Sequence, residues 1–221
     1  MTRRVFERQL TQIQRDMFAL ASMVDRAIER SMEALLQRDL VLAREVIEED
    51  IKLNEKRYAI EEKCLELIAM QQPLAGDLRT IVAVLHVTVD LERMGDHAEG
   101  IAKVATMIAD DDELKPSADI SRMADIGRQM LADSLKAFED HDAQKARITC
   151  DVDDQVDALY ERVYQELIGY VIKHPEEIEH ATHLTWVAHN LERIADRVTN
   201  ICERVVYLVE GKIEELNVSK Y

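Results

Sequence analysis

The chain has 221 residues and carries 28 Lys and Arg against 44 Asp and Glu, a formal charge of −16. Six glycines, three prolines and 5% aromatic residues exclude a strand-rich sandwich or barrel, which needs turns and favours aromatic and β-branched side chains. A hydrophobic content of 47% excludes disorder, and the negative charge opposes nucleic acid and anionic lipid as partners.

The expectation is therefore an all-α protein. Its first stretch, Met1 to Leu10, is basic but lacks the apolar run of a secretory signal. Helical periodicity then runs near 3–38 and near 40–70, with Asp39 placed to cap the second stretch. Pro73 and Gly76 mark the next break, before a third helix near 75–109. Asp110 to Ser117 reads as a linker. Helices follow near 118–140, 143–172 and 176–212, with Asp142 repeating the role of Asp39 and Pro175 that of Pro73. At about 1.5 Å per residue these are rods of roughly 35–55 Å, lengths suited to a bundle. No run approaches the ~18–20 apolar residues of a membrane span. Cys64, Cys150 and Cys202 are odd in number and outside any CxxC spacing, so they read as reduced thiols of a cytoplasmic protein.

The two triplets of helices repeat. A shift of 103 places Ser31, Ala34, Asp39, Ala43 and Asp50 on Ser134, Ala137, Asp142, Ala146 and Asp153. A shift of 100 places Leu91-Glu92-Arg93 and Asp96 on Leu191-Glu192-Arg193 and Asp196. An internal duplication follows, two three-helix units over 1–112 and 116–216.

Acids recur inside this repeat. In the second helix Ile47, Ile51, Tyr58, Leu65 and Ile68 read as the buried stripe, with Asp50 and Asn54 beside it. Asp153 and Asp157 are their counterparts. The third helices carry Glu92 and Asp96, and Glu192 and Asp196. Glu99 extends the first set; Thr199, Asn200 and Glu203 extend the second. Acids one turn apart repel, and packing the second helix beside the third would bring Asp50 and Asn54 toward Glu92 and Asp96. Such an oxygen cluster suits magnesium, manganese or iron, with zinc ranking last. A solvated acidic face is the competing reading, with Arg93, Arg193 and Arg197 as counterions. Gly95 and Ala195 lie inside the motifs, where a small side chain lets a neighbouring helix approach.

Other chemistry is sparse. There is no phosphate-cradling glycine loop, and the Glu177/His180 pair is a single Glu-x-x-His where di-metal bundles use two. His86, His97, His174, His183 and His189 are scattered and read as surface or edge residues. Met17, Met23, Met32, Met94, Met107, Met123 and Met130 read as core filling, and Trp186 as core or interface.

The segments Leu91-Glu92-Arg93-Met94-Gly95-Asp96-His97-Ala98, Leu191-Glu192-Arg193-Ile194-Ala195-Asp196-Arg197 and Asn200-Ile201-Cys202-Glu203 resemble the paired signatures of the PhoU family. Gln72-Pro73-Leu74-Ala75-Gly76-Asp77-Leu78-Arg79 is similar to its loop and helix start. The resemblance implies a cytoplasmic, all-α protein of two side-by-side three-helix bundles. It implies metal sites at ExxxD motifs, with Glu92, Asp96, Glu192 and Asp196 in that role and Asp50, Asn54, Asp153 and Asp157 facing them. Asn200 would supply an amide that Gly100 lacks. It further implies a homodimer that restrains phosphate uptake and the phosphate-starvation response. The implied partners are the phosphate ABC transporter at the cytoplasmic membrane face and a phosphate-sensing histidine kinase. A carboxylate-bridged metal enzyme and a metal-free helical adaptor are the alternatives.

Overall fold

The computed structural model describes residues 3–108 and 115–216. Its helices are α1 (Arg3–Gln37), α2 (Leu40–Gln71), α3 (Gly76–Met107), α4 (Ala118–Asp140), α5 (Ala143–Cys150), α6 (Asp153–Lys173) and α7 (Ile178–Glu210), with a 3-10 turn, Pro175–Glu177, before the last. No strand occurs among the described residues. Helices α1, α2 and α3 pack together as one bundle, and α4, α5, α6 and α7 as a second. The unit boundary expected between 112 and 116, and the expected end of the third helix at 109, fall largely or wholly outside the described residues.

The duplication is visible in the backbone. Arg38 and His141, 103 positions apart, both turn left-handed, with φ of 56° and 55°. Each ends its helix so that the next amide reaches back, Asp39 N to Ala34 O at 3.0 Å and Asp142 N to Ala137 O at 2.9 Å. The Asp39 carboxylate then accepts from the amides of Val41 and Leu42, and that of Asp142 from the amide of Lys145, all at 2.9 Å. These contacts satisfy donors that a helix start leaves open. Ser31 and Ser134, both buried, donate to Ile28 O and Leu131 O one turn back.

Burial corrects the stripe expected on the second helix. The buried side chains of α2 are Ala43, Val46, Leu53, Ile60, Cys64 and Leu67, a three-four alternation completed by the half-buried Asp50 and Arg57. Ile51, Tyr58 and Leu65 instead face solvent, and Ile47 and Ile68 are only partly covered. Helix α2 has two apolar faces, and periodicity alone selects neither. The core-facing row includes an acid and a base, Asp50 and Arg57, which give it the pattern of a polar side.

The fifth expected helix is also interrupted. After Cys150 the bonds tighten to i→i−3, Val152 N to Thr149 O and Gln155 N to Val152 O, and α6 starts afresh at Asp153. That places a fully buried acid in the first turn of a helix, where the helix dipole favours negative charge. The equivalent stretch of α2 continues unbroken. Of the methionines expected in the core, Met107 is exposed, as is Trp186, which sits edge-on to His183. All three cysteines are free and buried.

The units join along a pseudo-twofold seam. Helices α3 and α7 pack more extensively than any other pair, and α1 meets α4 alongside them. Asp25 and Arg128, equivalent under the 103 shift, bind each other at 2.7 and 3.1 Å. Asn200 donates to Asp90 Oδ1 at 3.1 Å, with Arg197 3.6 Å from the same oxygen. On the equivalent side His97 Nδ1 lies 3.0 Å from Asn190 Oδ1. The amide nitrogen of Asn190 is given to Trp186 O, so its oxygen accepts and His97 donates. Burial lowers the affinity of His97 for a second proton; it is half-buried in the seam, not a surface residue. Gly100 makes room for this contact, since a Cβ there would stand 3.0 Å from Asn190 Oδ1.

Candidate functional site

Each unit holds its acids where the second helix lies along the third. In the first unit Gly95 sets the distance, because a Cβ at that position would stand 2.7 Å from Leu53 Cδ1 and 3.6 Å from Asp50 Oδ1. The missing side chain lets α2 settle onto α3 and brings Asp50 within electrostatic reach of Glu99, Asp96 and Glu92. Burial, followed by these three carboxylates, pushes the Asp50 carboxyl up to about 6. Asn54 Nδ2 donates to Asp50 Oδ2 at 2.8 Å, while Asp50 Oδ1 is buried and accepts no hydrogen bond. An unsatisfied buried acceptor is a cost that a donor or cation would remove.

The second unit repeats this with different parts. Glu192 lies near Asp196 and Asp157, and burial, then those charges, pushes its carboxyl up to about 7 against the opposing Arg193. Its Oε2, which accepts no hydrogen bond, lies 3.5 Å from His189 Nδ1. Asp153 is buried at the start of α6, and with Glu203 it helps burial push the Cys150 thiol up to about 12. Glu203 Oε1 accepts from the amide of Leu216.

The sequence-selected residues therefore fall into two groups. Asp50, Asn54, Glu92, Asp96 and Glu99 gather in the first unit; Asp153, Asp157, Glu192 and Asp196 occupy the equivalent positions of the second. Asn200 does not join them, because its amide is engaged by Asp90 in the seam. Lys103, 2.6 Å from Glu99, and His189, 3.5 Å from Glu192, lie outside the expected sites, although both stand three or four residues from an acid they touch, the spacing of same-face helix neighbours.

The donors are all oxygen, the type a hard cation takes. Among the described residues, however, no three His, Cys, Asp or Glu side chains converge as a ready metal cage. Local partners hold the acids apart, with Asp96 on Arg93 at 3.2 Å, Glu99 on Lys103 and Asp196 on Arg193. The residues fit an oxygen-bound cation in kind, with the buried Asp50 oxygen as the anchor. Ligation would draw Asp96 and Glu99 away from their bases.

No helix among the described residues is long and apolar enough to cross a membrane. Comparison with known proteins gives a consistent result. The family model described as the PhoU domain matches twice, over residues 19–105 and 120–205. The chain is similar to the phosphate-specific transport system accessory protein PhoU homologue of Clostridium acetobutylicum, 37% identical over 98% of this chain and 100% of that protein. The homologue of Aquifex aeolicus, described in the same words, is 39% identical over 93% of each chain. Among solved structures, the phosphate transport system regulatory protein PhoU from Streptococcus pneumoniae superimposes with a TM-score of 0.89 at 33% identity, covering 95% of this chain and 99% of that one. PhoU from Pseudomonas aeruginosa gives 0.90 at 30%, covering 94% and 100%. A repeated domain matched in both units, and relatives aligned from end to end, establish that the chain belongs to the PhoU family.

Proposed function

We propose that this protein is a regulator of phosphate uptake, working at the cytoplasmic face of a phosphate-specific ABC transporter and passing the transporter's state to a phosphate-sensing histidine kinase. The observation that carries this reading is the full-length similarity to proteins described as accessory to, or regulators of, phosphate transport. It acts by binding. The repeated acidic grooves and long helical faces supply contact surface, and the sequence offers no nucleophile paired with a base. Deleting the gene should derepress phosphate-starvation genes in phosphate-replete medium and raise cellular phosphate, and the wild-type gene should restore control. A deletion strain with normal phosphate control and no paralogue would refute the assignment.

The acids add a metal-binding reading, favoured by the buried, unsatisfied Asp50 oxygen. Asp50, Glu92, Asp96 and Glu99 would hold one hard cation site, and Asp153, Asp157, Glu192 and Asp196 the other, with magnesium, manganese or iron the suitable ions. Bound cations would neutralise the repelling carboxylates and stiffen each α2–α3-type pair. Metal analysis of protein purified without chelator tests this directly, and metal-free protein of unchanged stability would refute it.

A further inference from the structure

The outer face of α2 has no role in the core. Ile51, Tyr58 and Leu65 recur every seven residues and are 63%, 60% and 55% exposed. Ile47 and Ile68 at the two ends are tucked partly against the core. The result is a line of three apolar side chains, about 20 Å long from Ile51 to Leu65 at the rise of an α-helix, with Asn54, Glu55, Glu61 and Glu62 between them. Scattered exposed apolar residues need no explanation, but three aligned at heptad spacing on one helix face call for one.

The second unit shows that the fold does not require this row. Under the 103 shift the positions of Ile51 and Tyr58 are held by Asp154 and Glu161, both exposed, and only Ile168 keeps the apolar character of Leu65. The same helix position in the same fold tolerates acids, so apolarity in α2 serves something outside the bundle.

Charge selects the occupant. Beyond the row, Glu48, Glu55 and Glu62 also repeat every seven residues and are exposed. On the α3 side lies the cluster of Asp50, Glu92, Asp96 and Glu99. Arg57 lies over the Tyr58 ring, 4.7 Å from its centre, but is held by Glu61 at 3.0 Å. A second copy docking by this face would set acidic rim against acidic rim, and an anionic membrane would be repelled as well. A ridge with seven-residue spacing accepts another helix lying nearly parallel to it. We propose that the Ile51–Tyr58–Leu65 row of α2 is a docking surface for an amphipathic helix of a partner protein that carries Lys and Arg on either side of its apolar stripe. This inference rests on the reading of the protein as a regulator that acts by contact, and it names the chemistry of that contact.

The test uses the full-length chain and a fluorescein-labelled 21-residue helical peptide with Leu at heptad a and d positions and Lys or Arg on the flanks. Controls are a peptide of the same composition with its apolar spacing scrambled, and vesicles of phosphatidylcholine with phosphatidylglycerol. The variant I51D/Y58E carries residues the second unit already tolerates, so its helix content and melting temperature should match wild type. By fluorescence anisotropy the variant should bind the peptide at least tenfold more weakly, wild type should prefer it to the scrambled peptide by a similar factor, and I168D should bind like wild type. Equal binding by wild type and variant, or equal binding of both peptides, would overturn the proposal. So would vesicle binding that the variant loses, or a wild-type dimer by sedimentation equilibrium that the variant dissolves; these would assign the face to lipid or to a second copy. Complementation separates this from the regulatory reading. If deletion leaves phosphate control intact, the regulatory reading fails, while the peptide measurement still decides whether the face docks a basic helix.

Discussion

In the first unit the acidic groove is built from Asp50, Glu92, Asp96 and Glu99 with the Asn54 amide among them. In the second the equivalent positions hold Asp153, Glu192, Asp196 and Thr199, and Asp157 replaces Asn54. One carboxylate has in effect moved from the third helix to the second, so each groove holds four of these acids, although Lys103 beside the first is answered by Glu203 beside the second. Packing beside it shows the same exchange. Gly95 opposite Leu53 corresponds to Ala195 and Val156, a methyl added on one helix and a methylene removed from the other. The outer faces show no such compensation, since Ile51 and Tyr58 are answered by Asp154 and Glu161. The count of groove acids and the combined bulk of the packing pair are alike in the two repeats, while the outward face of α2 is distinct. The groove is thus a shared property of both units and the apolar row belongs to one.

Metal exposes the largest difference between a working groove and a solvated one. A cation that binds only the folded protein stabilises it by about 2.7 kcal/mol at a hundredfold excess over its Kd. Thermal melts with manganese and with chelator should therefore separate clearly. E92Q/D96N should remove the gain of the first unit and E192Q/D196N that of the second. If the acids are only a solvated face, chelator will leave the wild-type melting temperature unchanged. Both variants will then be more stable by a few tenths of a kcal/mol, the repulsion between acids one turn apart having gone.

The exchange of Gly95 with Leu53 can be broken and repaired. Gly95→Ala drives a Cβ to within 2.7 Å of a buried leucine methyl, and overpacking of this kind costs about 1–3 kcal/mol. Adding Leu53→Val gives the first unit the second unit's pair. Urea unfolding should find the double variant more stable than the two single costs predict, with a coupling of at least about 0.5 kcal/mol. Strict additivity would mean that the two residues do not share the space.

The caps should behave alike, because here the repeats match. Asp39→Ala and Asp142→Ala should each cost about 1 kcal/mol. The first should cost slightly more, since Asp39 accepts from two amides and Asp142 from one among the hydrogen bonds found. A several-fold difference in unfolding free energy would mean that the hairpins are not equivalent.

The caps were legible in the sequence because capping depends on local chemistry that an aspartate between two apolar stretches announces. The duplication was legible because the spacing of matching residues survived, and the groove acids because they sit at equivalent positions. Three features were not. The buried row of α2 includes Asp50 and Arg57, so amphipathic periodicity points to the wrong stripe when the other side is apolar too. The interruption at Asp151 and Val152 has neither glycine nor proline to mark it. The engagement of Asn200 by Asp90 is made across the seam by residues 110 positions apart, and no local pattern encodes it.

The smallest expected effect is in pH, and it too should differ between the units. Asp50 and Glu192 are acids whose folded-state proton affinity is raised, to about 6 and about 7, above ordinary values of 3.8 and 4.5. Between the ordinary and the raised value the folded chain holds a proton that the unfolded chain has lost, so stability falls as pH rises. The contribution is complete below about pH 4 and is lost as pH passes 6 for Asp50 and 7 for Glu192. Both groups are partly open to solvent, which screens the effect. Lowered carboxyls elsewhere, such as Asp16 and Asp133, act in the opposite direction at acid pH, so the informative quantity is wild type minus variant. With chelator present, Asp50→Asn should gain on wild type as pH rises from 4 to 6 and level off. Glu192→Gln should continue to gain until about pH 7. Melting curves for wild type and both variants that stay parallel from pH 4 to 8 would mean that neither groove holds a strained carboxylate, and the asymmetry between the two units would then be one of sequence without consequence for charge.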